Sequence, residues 1–384
     1  MRNRWGILAV LFAVRLTMAF QFQSVAAVAP LLAGKFGVNL ADIGLLIGLY
    51  FTPGIALALP GGAIGQKLGD KPATLLALVL MLAGSLLMAV SDVWSWQIAG
   101  RLVAGAGGVM LNVQLTKMMT DWFAGKEIAT AMAIFVNSWP AGIGISLLTL
   151  PLIGTAGGIG AVCLSVAALI ALAMILLAVT YRPPANLVAA AAAQARPDRH
   201  ATMAVAAAGL LWGLFNVGFA TIFSFGPSLL AERGWSMAAA GSTISIVLWL
   251  AVFSVPFGGY LADRLKTPQS VLVIGCVVFA LLMAAMARSN AVIWIVVGLG
   301  LVSGQPAGPV MSLPARVLGP ATRAIGMGVF YTVYYAAMML GPIIAGAGAK
   351  WTGSAAAAFD VGAVVLLVCP LLLWCFNRIA ATQP

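Results

Sequence analysis

The sequence predicts an all-α integral membrane protein with twelve transmembrane helices, arranged as two pseudo-symmetric six-helix bundles. Three observations carry this reading. Hydrophobic residues fill 62% of the 384 positions and charged residues only 8%, with a mean hydropathy of +1.08. A water-facing surface needs far more polar side chains than that. Long apolar runs recur from end to end, as membrane-crossing helices require. Finally, the second half of the chain repeats the first.

The apolar runs place spans at 7–32, 41–63, 73–91, 95–117, 127–150 and 157–180 in the first half. In the second half they fall at 201–225, 239–262, 269–287, 291–313, 323–346 and 355–377. The first run is too long for the core of a signal peptide and shows no small-residue cleavage pattern, so it is read as a retained helix. Trp94 and Trp96 precede the fourth span's apolar stretch and suit an interfacial belt. In the tenth span, Pro306, Pro309 and Pro314 should bend the helix and free backbone carbonyls near Gln305. Broken helices of this kind mark binding or gating regions, and this one is read as a gate. The stretch "PPANLVAAAAAQARPDR" (183–199) is rich in Pro, Ala and polar residues. It marks a cytoplasmic linker, 183–200, between an N-terminal bundle, 1–182, and a C-terminal bundle, 201–384.

The net charge of +11 is a topology signal and argues against nucleic acid. Of twenty Lys and Arg, Lys35, Arg233, Arg288 and Lys350 fall on one side of the predicted spans, and Arg15 and Arg101 lie within them. All the others fall on the side of the termini, which places both termini in the cytoplasm. The four cysteines lie within spans without zinc-ligand spacing or a disulfide framework, and are expected as small buried hydrophobes. His200, at the linker's edge, is expected in solvent. No metal or cofactor is expected, and the partners implied are the lipid bilayer and a small-molecule cargo.

Sliding one half over the other by about 197 residues superposes Pro30 on Pro227, Gly37 on Gly234, Gly44 on Gly241 and Gly62 on Gly259. At a shift near 195, Met132 and Phe135 fall on Met327 and Phe330. Matches at nearly one offset over several spans indicate a duplicated six-helix unit. After the second half's second span stand Gly259, Asp263, Arg264 and Lys266. In the first half Gly62, Lys67, Gly69 and Lys71 match them, with Gln66 where an aspartate is usual. The fourth span carries R-x-x-x-G-x-G as Arg101, Gly105 and Gly107, followed by Gly108. In these features the whole chain resembles the major facilitator superfamily. The resemblance implies a bacterial inner-membrane transporter, expected as a monomer, with two bundles rocking around a central cavity in alternating access. It also implies that spans 1, 4, 7 and 10 line the cavity and that the loop motif acts as a conformational latch. Gly62, Lys67, Asp263 and Arg264 would form that latch, with Asp263 and Arg264 pairing with neighbouring helix ends. Gln66 removes one ion pair from it. The stretches "TDWFAGKE" (120–127) and 312–346 further resemble cyanate/nitroimidazole and nitrate/nitrite-type porters.

Helical phase selects the polar residues of those spans. Gln23 lies about 80° from Arg15 and Gln21 about 120° the other way, at 100° per residue. Gln23 is therefore the expected companion of Arg15 in the cavity, and Gln21 the partner of a neighbouring helix. Arg101, Gly105, Gly108 and Asn112 share one face of the fourth span; Arg101 is expected to bond backbone carbonyls and help the first and fourth helices pack. Trp212, at the repeat position of Arg15, shares a stripe with Asn216, Phe219 and Phe223. Tyr331, Tyr334 and Tyr335 share a face of the eleventh span, where their hydroxyls need hydrogen-bond partners.

The nine acids fall at span ends or in loops, and none lies inside predicted spans 1, 4, 7 or 10. Proton symporters and cation exporters usually carry a buried carboxylate. The expectation is therefore an anionic cargo, bound through two parallel hydrogen bonds by Arg15. The binding set expected is Arg15, Gln23, Asn112, Trp212, Asn216, Gln305, Tyr331, Tyr334 and Tyr335, with Pro306 and Pro309 as gating residues. The alternative is a transporter of neutral amphipathic molecules in which Arg15 and Arg101 are structural. An enzyme is not expected, since H-E-x-x-H and G-x-S-x-G are absent and no histidine lies within a span.

Overall fold

The computed structural model describes residues 4–57, 68–123, 131, 134–182, 196–318 and 322–381, apart from a few side chains, that of Asp263 among them. Among the described residues the chain is helical throughout, with no strand. Contacts divide it into two compact units, Met1–Val38 with Leu49–Ala190 and Asn39–Gly48 with Ala191–Pro384.

Helix α1 spans Arg4–Ala27 and α2 spans Ala29–Phe36. The single span expected over 7–32 is corrected at Val28, whose φ of −123 and ψ of 25 interrupt the helix. Pro30, in the first turn of α2, has no N–H with which to bond back across the break. The second span is likewise divided, into α3 (Leu40–Gly48) and α4 (Thr52–Leu57). Pro53 stands in the first turn of α4, and 58–63 lies outside the described residues.

Helices α5 (Asp70–Val90) and α6 (Trp94–Phe123) follow, then α7 (Ser138–Thr180). The described part of the fifth span becomes continuous helix only at Ser138, after a turn at Asn137. At 43 residues, α7 is about 65 Å long by helical rise, roughly twice the hydrocarbon thickness of a bilayer. It is two crossings joined at Gly158, whose φ of 71 and ψ of −171 only glycine adopts without strain. The expected break at 151–156 is therefore corrected: the helix runs through Pro151 and turns at Gly158. Counting α7 as two, the eleven membrane-length helices among the described residues make the twelve crossings.

The second unit begins with α8 (Arg199–Glu232), capped by Asp198, whose carboxylate accepts from the Ala201 N–H at 2.6 Å. The linker's 183–195 lies outside the described residues. Next come α9 (Met237–Leu265), α10 (Pro268–Arg288), α11 (Val292–Ser303) and α12 (Ala307–Ser312). A 3-10 turn (Leu313–Arg316), α13 (Arg323–Thr352) and α14 (Ala356–Ala381) complete it.

Packing within the two units follows the sequence repeat. In the first, α1 packs on α7, and α5 on α6 and α7. In the second, α8 packs on α13 and α14, and α10 on α11 and α14. The two crossings of α7 thus hold the places that α13 and α14 hold. Helix α3 packs within the second unit, on α13. There a Cβ at Gly44 or Gly48 would stand 2.3 Å from the carbonyl oxygen of Pro342 or Met339. Small residues four apart let two membrane helices meet backbone to backbone.

Polar side chains close the helix ends. Arg233 donates to the carbonyls of Met286 at 2.8 Å, Ala287 at 3.0 Å and Ser289 at 2.9 Å, at the end of α10. Glu232 accepts from the Ala355 N–H and the Ser354 hydroxyl, both at 2.8 Å, at the start of α14. Ion pairs join Arg288 to Asp360 at 2.6 Å, and Lys35 to Asp92. Cys163, Cys276 and Cys369 are buried in the apolar interior. His200 lies exposed in the first turn of α8.

Candidate functional site

In the first unit, Arg15 reaches from α1 to α6 and to the start of α7. Its Nε donates to Asn112 Oδ1 at 3.2 Å. One terminal nitrogen donates to the Phe135 carbonyl at 3.3 Å, the Val136 carbonyl at 3.1 Å and Ser138 Oγ at 3.1 Å. The guanidinium carbon also lies 4.9 Å from the centre of the Phe135 ring. The turn at Asn137 turns these carbonyls away from a continuous helical ladder, and Ser138 Oγ donates to the Phe135 carbonyl at 2.6 Å. Arg15 is half-buried. These four acceptors are dipoles that orient the guanidinium.

Asn112, expected on one face with Arg101, is instead the side chain brought to Arg15. Gln23 is different: it is fully buried, with 0% exposure, so it presents no surface to a cavity. Phase gives direction around a helix and takes no account of what closes over it. Gln21 bonds a neighbouring helix, donating to the Met81 carbonyl and Ser85 Oγ on α5, each at 2.7 Å.

Arg101 is fully buried, at 0% exposure. From α6 it donates to the carbonyls of Gln21 at 3.0 Å and Phe22 at 2.6 Å. Its guanidinium lies 4.6 Å from the ring centre of Tyr50 and 5.5 Å from that of Phe22. Tyr50, unanticipated in the sequence, donates its hydroxyl to Gln21 Oε1 at 3.2 Å. The glycines after Arg101 make room for it: a Cβ at Gly105 would stand 2.2 Å from the Tyr50 carbonyl oxygen, and one at Gly108 would stand 2.5 Å from its hydroxyl. Arg101 clamps α1 to α6.

In the second unit, Trp212 and the three tyrosines come together between α8 and α13. Trp212 stacks on Tyr334 with centroids 6.3 Å apart at 29°, and on Phe215 at 5.5 Å and 24°. Tyr334 meets Tyr335 at 5.0 Å and Tyr331 at 6.1 Å. Tyr335 is buried, whereas Trp212, Tyr331 and Tyr334 keep part of their surface. Asn216 turns back on its own helix, its Nδ2 donating to the Trp212 carbonyl at 2.7 Å.

Gln305 stands apart from this cluster. The tenth span breaks at Gly304–Pro306, where a bend was expected. The freed groups are met by Ser254 of α9, which donates to the Leu301 carbonyl at 2.8 Å and accepts from the Gly304 N–H at 3.2 Å. Gln305 Nε2 donates to the same Leu301 carbonyl at 3.0 Å. Pro306 caps the following α12, and Pro309 lies buried within it. Gly62 and Lys67 lie outside the described residues, as does the Asp263 side chain. Arg264 departs from its expected pairing with a neighbouring helix end: it donates to the Tyr260 hydroxyl one turn back at 2.9 Å. Within the first unit the acid at the start of α5 is engaged, Asp70 with Lys117 of α6 at 2.8 Å.

Twelve crossings in repeated six-helix units, with charged and aromatic clusters at mid-span, define a multi-pass membrane protein. A family profile described as the Major Facilitator Superfamily matches residues 11–337 and 202–383. The chain belongs to the major facilitator superfamily. It is 28% identical over 153 residues to the inner membrane transport protein YajR of Escherichia coli, covering 40% of this chain and 32% of that one. Over 90 residues it is 36% identical to azole resistance protein 1 of Saccharomyces cerevisiae, covering 23% of this chain and 14% of the yeast protein. The matched stretches span less than a third of either relative. Among solved structures, a D-xylose–proton symporter superposes with a TM-score of 0.79 at 13% identity, covering 98% of both chains. A POT family transporter in complex with a thioalcohol-conjugated peptide gives 0.77 at 15%, covering 98% of this chain and 96% of that one. At these identities the likeness is one of fold.

Proposed function

We propose that the chain carries a small organic or inorganic anion across the cytoplasmic membrane by alternating access, with Arg15 as the counter-charge. The observation that carries this reading is the way Arg15 is held. It is half-buried at mid-span, and its fork is oriented by an amide oxygen, a hydroxyl and two carbonyls. A guanidinium fixed in this way is favourable to a carboxylate or similar oxyanion through charge-assisted hydrogen bonds. The absence of acids from the predicted cavity-lining spans supports the same reading. The proposal includes cytoplasmic termini, from the Lys and Arg distribution. Its narrower form is a cargo like those of the cyanate and nitrate-type porters, from the stretches 120–127 and 312–346.

One alternative has its own support. Arg15, like Arg101, bonds backbone carbonyls, and the Trp212–Tyr334 stack offers a flat apolar face. A carrier of neutral amphipathic molecules, with both arginines structural, fits those contacts and the name of the azole resistance relative.

Counterflow in proteoliposomes separates the two. For an anion carrier, exchange of labelled carboxylates, cyanate or nitrate falls at least about tenfold in Arg15→Gln, the scale of one charge-assisted hydrogen bond. Arg15→Lys retains partial activity. If neutral compounds move equally well in wild type and Arg15→Gln, and no anion moves in either, the anion reading is wrong.

A further inference from the structure

We propose that the second unit binds an anionic phospholipid headgroup in a cleft between α10, the 3-10 turn and α14, with Arg316 as the phosphate ligand. The cleft is a cavity of about 110 Å³ at the end of the unit that the basic residues assign to the cytoplasm. Leu272, Leu313 and Leu373 form its apolar wall, and Gln269, Ser312 and Arg316 lie on its polar side. Arg316 is exposed, so its head is available to a ligand. It is also positioned: one terminal nitrogen donates to Asn377 Oδ1 at 3.1 Å, and the guanidinium lies 5.3 Å from the centre of the Phe376 ring. Asn377 and Gln269 exchange amide hydrogen bonds, both at 3.3 Å, across α10 and α14. The arginine's partners here are therefore neutral.

Charge favours the same occupant. Arg264 and Lys266 lie just before Pro268, and Arg378 directly follows Asn377, whereas the sequence from Arg233 to Phe359 holds a single acid, Asp263. A soluble anion has no use for three leucines beside the cation. A phosphodiester carrying acyl chains uses both, with its phosphate on the guanidinium fork and its glycerol and chain ends along the leucines. Basic pockets between helices at the cytoplasmic face are suited to anionic headgroups, which that leaflet concentrates. The occupant would touch Ser312 and Leu313, just beyond the break in the tenth span, and so stabilise that segment.

The test is binding of phosphatidylglycerol, phosphatidylcholine and inorganic phosphate to the purified, delipidated full chain, read by native mass spectrometry and thermal shift. Wild type should retain phosphatidylglycerol in preference to phosphatidylcholine and gain stability from it. Arg316→Gln should lose at least about tenfold in that affinity, and Arg316→Lys only a few-fold. Ser312→Trp, which fills the cleft from an exposed position and keeps the charge, should lose it as well. Unchanged phosphatidylglycerol binding in folded Arg316→Gln overturns the proposal. So does equal binding of phosphatidylcholine, or equal stabilisation by inorganic phosphate alone.

Discussion

Arg15 and Arg101 are both arginines at membrane depth, and their surroundings divide their roles. Arg101 has no exposed surface and spends its fork on two carbonyls of α1 between two aromatic faces. Arg101→Ala removes both of these charge-assisted hydrogen bonds and leaves a cavity between the two rings, a loss of about 2–4 kcal/mol. A fall of several degrees in the unfolding temperature of the detergent-purified protein is expected, and an unchanged temperature would remove the clamp. Arg15 is half-buried, and its acceptors aim it. Ser138→Ala removes one acceptor and should weaken cargo binding about three- to tenfold with little change in thermal stability, as titration calorimetry would show. The pairing of Arg15 with Asn112 was not legible, because phase places residues around one helix only and does not say which face of the fourth span meets the first. The carbonyls of Phe135 and Val136 were only half legible: Pro140, with no N–H, leaves the Val136 carbonyl without its helical donor, but nothing in the pattern says that Arg15 takes it up. Tyr50 escaped notice because it sits in the break between α3 and α4. The glycines after Arg101 were its available signal, since they imply a bulky neighbour.

At the level of elements, the breaks in the helices were only partly readable. Prolines announce the break at Gly304–Pro306, because a ring without an N–H interrupts the ladder. They mislead at Pro151, which α7 accommodates, while the turn is made at Gly158 by backbone geometry alone. The sequence also leaves open which side chain serves a broken helix. Gln305, expected at a binding site, donates to the Leu301 carbonyl, and Ser254 on another helix both donates to that carbonyl and accepts from Gly304. Ser254→Ala leaves a buried N–H without that acceptor, and a stability loss of about 1–3 kcal/mol is expected. Hydrogen exchange should show faster exchange confined to the start of the break. Unaltered protection of the Gly304 amide would mean that Ser254 does not hold it.

Over the whole molecule, duplication is what made the fold readable. One offset aligned motifs across both halves, and the two units repeat the same helix pairings. The proposed binding groups do not repeat. The position of Arg15 in one half is Trp212 in the other, a cation matched to a flat aromatic. That asymmetry is why the fold could be read from pattern while the cargo could not. On the proposed reading, no acid in the predicted cavity-lining spans is available for proton coupling, which leaves anion exchange, facilitated diffusion or entry of the anion with its own proton. The most direct test is a thermal-shift and calorimetric screen of the purified protein against mono- and dicarboxylates, cyanate, nitrate and neutral controls, in wild type and Arg15→Gln. Selective stabilisation by anions that disappears in folded Arg15→Gln is the expected result. Stabilisation by neutral or cationic compounds alone, equal in both proteins, would contradict the role assigned to Arg15.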